Sequence, residues 1–328
     1  MTVSVISPFY NESGIIEHAL RTMIAQLDTL PEPYEFIAVN DGSTDGSVDI
    51  AKKVEAEFPG KLRVLGYQTN RGRGYGLRTG IAAATGDIIV TTEIDLSWGD
   101  KIVHELAAAM RAHPETDIVV ASPHLAGGGY KNVPPKRVFL SSFGNRIIRA
   151  CVSNACTMNT GMTRAYRRDV IQSFPLLEDG KEFHLEVILK AIAFGCRIRE
   201  IPAILEWKDY KHQGKRVARK SSSKIPKLIV SHSLFSVFAN PVRYVWSISG
   251  TFLFLSLALF VVAVWSYLSK TTAVYSAMLS VLFFSLSIVL FVLGVVVKQG
   301  NMIQREIWLL QRHAAVGAGL RQETPRPK

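Results

Sequence analysis

Charge is missing from two long stretches of this 328-residue chain. Val245–Leu268 and Thr271–Val297 hold no Asp, Glu, Lys or Arg, and only Ser269 and Lys270 lie between them. Each exceeds the roughly 20 residues that a helix needs to cross a bilayer. So short a link forces a hairpin and leaves both flanks on one side. A buried helical hairpin in a soluble core is the competing reading. Cysteine is also scarce: Cys151, Cys156 and Cys196 have no metal-like spacing and read as packing residues. Internal repeats are lacking. A secretory leader is not expected, because Met1-Thr2-Val3-Ser4-Val5-Ile6 runs straight into a strand. The dinucleotide fingerprint is missing too. Gly72-x-Gly74-x-Gly76 has the wrong spacing and follows the third strand, not the first. Its arginines Arg71, Arg73 and Arg78 are expected near phosphates or facing water.

What is present in excess is positive charge, a net +11. Much of it flanks the uncharged stretches: Lys215, Arg216, Arg219, Lys220, Lys224, Lys227 and Arg243 before, Lys298, Arg305 and Arg312 after. That clustering fits anionic lipid headgroups better than nucleic acid. The positive-inside rule then predicts a multi-pass membrane protein with both termini in the cytoplasm and Lys270 outside. Four segments are expected: a domain over 1–210, a basic connector and interfacial amphipathic helix over 211–243, a hairpin over 244–298 with spans of about 245–268 and 273–297, and a tail over 299–328. The interfacial helix is read over Ile225–Ala239 from Leu228, Ile229, Phe235 and Phe238.

The first segment alternates strands and helices. Strands are predicted at Val3–Ser7, Tyr34–Asn40, Leu62–Tyr67, Ile88–Thr92, Ile118–Ala121 and Arg197–Leu205. Helices are predicted from Ile15 to Leu27, from Val48 to Phe58 capped by Thr44 or Asp45, after the glycine turn through Ala84, over Lys136–Val152, and over Glu182–Ala193. This is an α/β class: a mostly parallel sheet flanked by helices, with ligands beyond the strands' carboxyl ends. Asp41, Glu93 and Asp95 fall at such ends. Glu93 and Asp95 are two residues apart, so on extended chain both carboxylates point one way, as a hard-oxygen site for Mg²⁺ or Mn²⁺ needs. An acidic loop that merely ends a strand is the plainer alternative. Arg137, Ser141 and Asn145 recur every fourth residue and share a helix face, a donor-rich stripe suited to phosphate or simply a solvated face.

Four segments, in order, carry a resemblance: Ser7-Pro8-Phe9-Tyr10-Asn11-Glu12, Asn40-Asp41-Gly42-Ser43-Thr44-Asp45-Gly46, Asn70-Arg71-Gly72-Arg73-Gly74, and Ala84-Thr85-Gly86-Asp87. They resemble the P-x-Y-N-E, D-D-G-S-x-D-G, N-x-G-K-G and A-x-G-D motifs of the family 2 glycosyltransferases of GT-A fold. With the hairpin, the chain is similar to the dolichyl- and polyprenyl-phosphate hexose synthases. The resemblance implies a GT-A domain and an inverting transfer of a hexose from a UDP- or GDP-sugar to polyprenyl or dolichyl phosphate at the cytoplasmic face. It implies that Pro8, Tyr10, Glu12 and Asp41 hold the donor nucleoside, with Asp95, and that Asp95 with Glu93 binds the metal on the diphosphate. It implies that Arg137 and Ser141 hold the acceptor phosphate, which makes Asp95 and Arg137 the catalytic pair. Self-association stays open.

Departures accompany it. Glu93 stands where the metal motif usually begins with Asp, and Pro123 stands where an arginine is expected. His124 or a loop lysine is a stand-in for that arginine, and Lys208 for a later one. Asn159–Arg164 is similar to the family's T-S-G-F-R segment with clear divergence. A processive polysaccharide synthase is disfavoured, because the chain lacks Gln-x-x-Arg-Trp and has too few spans. A catalytically silent lipid-binding homologue is the rival from another class. Its support is Glu93 and Pro123.

Overall fold

The structure, a computed structural model, describes residues 1–135, 138–139, 141–143, 145–146, 156–207, 211–212, 215–216 and 241–322. The chain divides into two compact units near residues 225 and 310. Arg137, Cys151, Lys208 and the expected interfacial helix over Ile225–Ala239 lie outside the described residues.

The first unit is built on a seven-stranded sheet. Its elements run β1 (Val3–Phe9), α1 (Ile16–Leu27), β2 (Tyr34–Asp41), α2 (Ser47–Glu57), β3 (Leu62–Tyr67), α3 (Arg73–Ala83), β4 (Ile88–Thr91), α4 (Ile102–Ala112), β5 (Ile118–Ser122), β6 (Gly129–Lys131), β7 (Arg164–Arg167), α5 (Arg168–Ile171), α6 (Phe183–Ala193), β8 (Ile198–Pro202) and β9 (Ile204–Glu206). The strand order is β3-β2-β1-β4-β7-β5-β8, and β6 pairs with β9 in a small separate sheet. The short strands β10 (Lys211–His212) and β11 (Lys215–Arg216) form a hairpin.

Alternation along each strand builds two apolar layers. Val3, Val5, Phe36, Ala38, Ile88, Val90, Val119 and Ala121 join α1, α2 and α4 in one core. Leu20, Met23, Ile24 and Leu27 of α1 are almost wholly buried there. Each such side chain contributes roughly 1.5–3 kcal/mol. Ile6 and Val39 point the other way, close enough to α3 that a methyl on Gly80 would stand 2.4 Å from Ile6.

Four differences from the sequence-based elements matter. Strand β7 was not foreseen. It lies antiparallel between β4 and β5, and its arginines Arg164 and Arg167 break the apolar pattern that announces a buried strand. The single strand expected over Arg197–Leu205 is two, in different sheets. Helix α4 is also new to the reading. Helix α2 begins after Gly46 with no side-chain cap on that residue. Asp45 instead takes the Ser47 N–H at 3.1 Å one position later.

Among the described residues the second unit holds α7 (Pro241–Leu268) and, as far as Leu309, α8 (Val274–Gln322). The tail expected from residue 299 is therefore continuous with the second apolar span as helix as far as Gln322. Both helices contain windows long and apolar enough to cross a membrane, and only 17% of each window is buried. A core hairpin of a soluble protein would be mostly buried, so that alternative loses its footing. Small polar residues make the seam. Ser249 and Ser287 exchange hydroxyl-to-carbonyl hydrogen bonds at 2.9 Å each, and Ser256 and Ser280 do the same at 2.9 and 3.0 Å.

Candidate active site

Because β1, β2, β3, β4 and β5 run parallel, their carboxyl ends share one edge of the sheet. The antiparallel β7 begins where they end. Tyr10, Glu12, Asp41, Asn70, Glu93, Asp95 and Thr163 therefore gather there.

The turns that follow β1 and β2 brace each other. Asn11, at φ 54°, accepts the Thr44 N–H at 2.8 Å and donates its own N–H to the Ser43 hydroxyl at 3.0 Å. Glu12 N–H reaches the Ser47 hydroxyl at 2.9 Å and Ser13 N–H the Asp45 carboxylate at 3.0 Å. Tyr10 stays 44% exposed beside this brace.

Asp41 is buried, and the structure commits its carboxylate to the protein. One oxygen accepts from Tyr67 OH at 2.7 Å, Arg71 N–H at 2.9 Å and Gly72 N–H at 3.1 Å. The other accepts from Asn70 Nδ2 and Gly72 N–H, each at 3.1 Å. Burial first, then this carboxylate, raises the Tyr67 pKa, so the phenol stays a donor. Asp41 thus shapes the loop that leads into α3.

The glycines of that loop let a neighbouring backbone approach closely. A Cβ on Gly72 or Gly74 would stand 2.5 Å from the carbonyl oxygen of Asp179 or Glu178. Gly74 and Tyr75 donate their N–H groups to Asp179 O at 2.7 and 3.1 Å. Arg78, half-buried, pairs with Asp179 and donates to Leu176 O. Arg71 is exposed and lies 3.7 Å over the Tyr75 ring.

Beyond β4 the chain turns at once, and Glu93 and Asp95 are placed by different contacts. Glu93 Oε2 accepts from Trp98 Nε1 at 2.6 Å and from Thr163 Oγ1 at 2.7 Å. Asp95 is 7% exposed and takes the Ser97 N–H at 2.9 Å. Desolvation and then the charge of Asp95 raise the Glu93 pKa, against the pull of Arg73 and the two hydrogen bonds. The two carboxylates are thus close enough to repel. Trp98 and Thr163 are site residues that the sequence reading missed. Trp98 carries no local signal of a role, and Thr163 depends on β7.

Nearby, His184 is buried with both ring nitrogens unpartnered. Burial, then Arg164, Arg73 and Lys181, hold it neutral. Arg164 is fully buried and donates to the carbonyls of His184 and Asn159, each at 2.7 Å.

The expected phosphate stripe is only partly one surface. Asn145 is buried, with Oδ1 on Asn159 N–H at 2.9 Å and Nδ2 on Ser141 O at 3.0 Å. It holds the chain before β7 and does not extend a donor face. Ser141 joins a different group: its hydroxyl lies 3.3 Å from Tyr130 OH, which lies 3.2 Å from His124 Nε2. Cys156 is buried, and burial pushes its thiol up to about 12, as a packing residue requires.

Comparison with known proteins gives these features a setting. The model of glycosyl transferase family 2 matches residues 4–174. An uncharacterised glycosyltransferase of Nostoc sp. is 28% identical over 185 residues, 54% of each chain. The undecaprenyl-phosphate 4-deoxy-4-formamido-L-arabinose transferase of Klebsiella pneumoniae is 28% identical over 204 residues, 62% of this chain and 59% of that one. The chain thus spans little more than half the length of these curated relatives. Among solved structures, glucosyl-3-phosphoglycerate synthase from Mycobacterium tuberculosis in complex with Mn²⁺, uridine diphosphate and phosphoglyceric acid aligns with a TM-score of 0.54. At 17% identity over 72% of this chain and 78% of that one, it shows a shared fold.

Proposed function

The chain belongs to glycosyl transferase family 2, and from that membership we propose that it moves one hexose from a nucleotide-diphosphate sugar to a polyprenyl phosphate, with inversion, at the cytoplasmic face of a membrane. The observation that carries the reading is the Glu93–Asp95 pair at the carboxyl end of β4, beside the loop that Asp41 holds. The curated relative named for undecaprenyl phosphate supports the lipid acceptor. The exposed apolar faces of α7 and α8 support a membrane setting, and the flanking Lys and Arg support a cytoplasmic catalytic unit.

In this reading Pro8, Tyr10, Glu12 and Asp95 bind the donor. Asp41 acts on it through the loop it shapes, as a positioning residue. Glu93 and Asp95 fit a divalent cation, Mg²⁺ or Mn²⁺. They supply hard oxygens whose mutual repulsion a cation would relieve. Among the described residues no group of three His, Cys, Asp or Glu could hold a metal alone. Held there, such a cation would supply positive charge to offset that of a diphosphate leaving group. Trp98 and Thr163 hold Glu93 so that Oε2 is fixed. The acceptor is a phosphate monoester, largely ionised near neutrality with a second pKa of about 6, so no strong general base is required. Arg137 and Ser141 orient it, with Tyr130 and His124 extending the donor set from Ser141.

The test is nucleotide release by purified protein given polyprenyl phosphate and a panel of nucleotide sugars, with product mass read out. Paired donor and acceptor titrations follow on variants. Arg137→Ala is expected to cost roughly ten- to a hundredfold at the acceptor and to leave donor binding intact, with Ser141→Ala acting in the same direction and less. No product from any donor defeats the transferase reading. Normal acceptor kinetics in Arg137→Ala moves the acceptor site elsewhere.

A further inference from the structure

One end of the helical hairpin presents positive charge that forms no ion pair among the described residues. Arg243 lies in the first turns of α7 and Lys298 on α8. Trp246 brings the two helices together at that level. Its indole fills the notch at Gly294, where a Cβ would stand 2.2 Å from Nε1. It donates Nε1–H to the Phe291 carbonyl at 3.3 Å and stacks on the Phe291 ring, centroids 5.8 Å apart. The Lys298 ammonium lies 5.7 Å from the indole centroid. Val242, Arg243, Trp246 and Ser247 line an open recess of about 500 Å³. The sequence has no Asp or Glu from residue 210 to residue 305. Among the described residues, neither Arg243 nor Lys298 takes part in an ion pair.

We propose that this recess binds the headgroup phosphate of an anionic phospholipid, with Arg243 and Lys298 as its charge partners and Trp246 fixing their separation. A guanidinium fork suits phosphate oxygens, and an ammonium adds a point charge. Tryptophan favours the headgroup level of a bilayer. Exposed apolar side chains further along α7, such as Leu253 and Phe254, give acyl chains a surface. The inference rests on the membrane setting proposed above and not on the transfer reaction.

The full chain is inserted into vesicles of mixed phosphatidylcholine and phosphatidylglycerol and checked by flotation. It is then released in neutral detergent, and retained lipid is identified by native mass spectrometry. Wild type is expected to retain phosphatidylglycerol over phosphatidylcholine. The variant R243Q/K298Q is expected to lose that preference by about ten- to thirtyfold, and R243K/K298R to keep most of it. K270Q, which neutralises the cation at the opposite end, is expected to change nothing. Unselective retention by wild type overturns the proposal, as does full preference in R243Q/K298Q or an equal loss in K270Q. Displacement of the lipid by inorganic phosphate also overturns it, since the site then takes a free anion. Failure of wild type to float defeats the membrane setting itself, a result distinct from an unselective site.

Discussion

The sheet unit and the helical hairpin differ in what they bury and what they leave exposed. In the sheet unit Val3, Phe36, Ile88 and Leu106 are wholly hidden, and polar groups crowd the strand ends. In the hairpin Ser249, Ser256, Ser280 and Ser287 are 3–5% exposed, while Phe254, Trp265, Tyr267 and Tyr275 are 71–79% exposed. The difference is one of solvent. In water, apolar surface is driven inward. In lipid no such drive exists between helices, and small residues that permit close approach and exchange hydrogen bonds take the seam. The serines recur every seven residues on each helix, as a coiled contact requires. Polar side chains should therefore be costly to lose in the first unit and cheap to lose in the second.

That contrast can be tested by substitutions of falling effect. Asp95→Asn should lower transfer at least about a hundredfold. The fold should survive, because asparagine can still accept the Ser97 N–H. Nucleotide release and a thermal melt check the two halves, and full activity in the variant removes Asp95 from the site.

Asp41→Ala strips several buried donors of their acceptor. It should destabilise the sheet unit by about 2–4 kcal/mol and weaken nucleotide binding with it. Calorimetry and denaturant unfolding report both. An unchanged midpoint means that the loop stands without this brace.

Ser249→Ala with Ser287→Ala removes a comparable exchange of hydrogen bonds from the hairpin. The expected cost is only about 0.6 kcal/mol and at most about 1.7, read by unfolding in mixed micelles. A cost as large as that of Asp41→Ala collapses the contrast between the two units.

Glu93→Gln should be the smallest change in stability, and of opposite sign. The folded pKa of Glu93 is raised. Its contribution to stability is therefore full below the ordinary glutamate pKa and lost as pH rises through the raised value. In EDTA at neutral pH the variant should melt slightly above wild type, and the two should converge in acid, although transfer falls. A lower melting point for Glu93→Gln at neutral pH contradicts the proposed strain between Glu93 and Asp95.

The legible parts of the site were those marked by local chemistry. Asp41 and Asp95 could be placed at strand ends because apolar runs stop there. The contacts of Asp41 could not be read, since its donors at Tyr67 and at residues 70–72 lie 26 to 31 positions away. Asn145 looked like part of a donor stripe because helical spacing says which residues share a face and not which face is covered. Arg78 pairs with Asp179 in the loop before α6, a partner 101 positions along the chain that no local pattern announces.

The sequence by itself determined that an α/β sheet region is followed by two long apolar helices. Hydropathy over 24 or more residues and the alternation of short apolar runs are properties of the chain alone, set by what water and lipid accept. It also determined the family, through short motifs whose turns are local. Only the tertiary structure decided that β7 enters the sheet backwards, so that Thr163 reaches Glu93. Only it decided that serines 24 and 38 residues apart close the hairpin. These contacts are pairings at long range, and a hydrogen bond has no signature in sequence until folding brings its donor and acceptor within about 3 Å of each other.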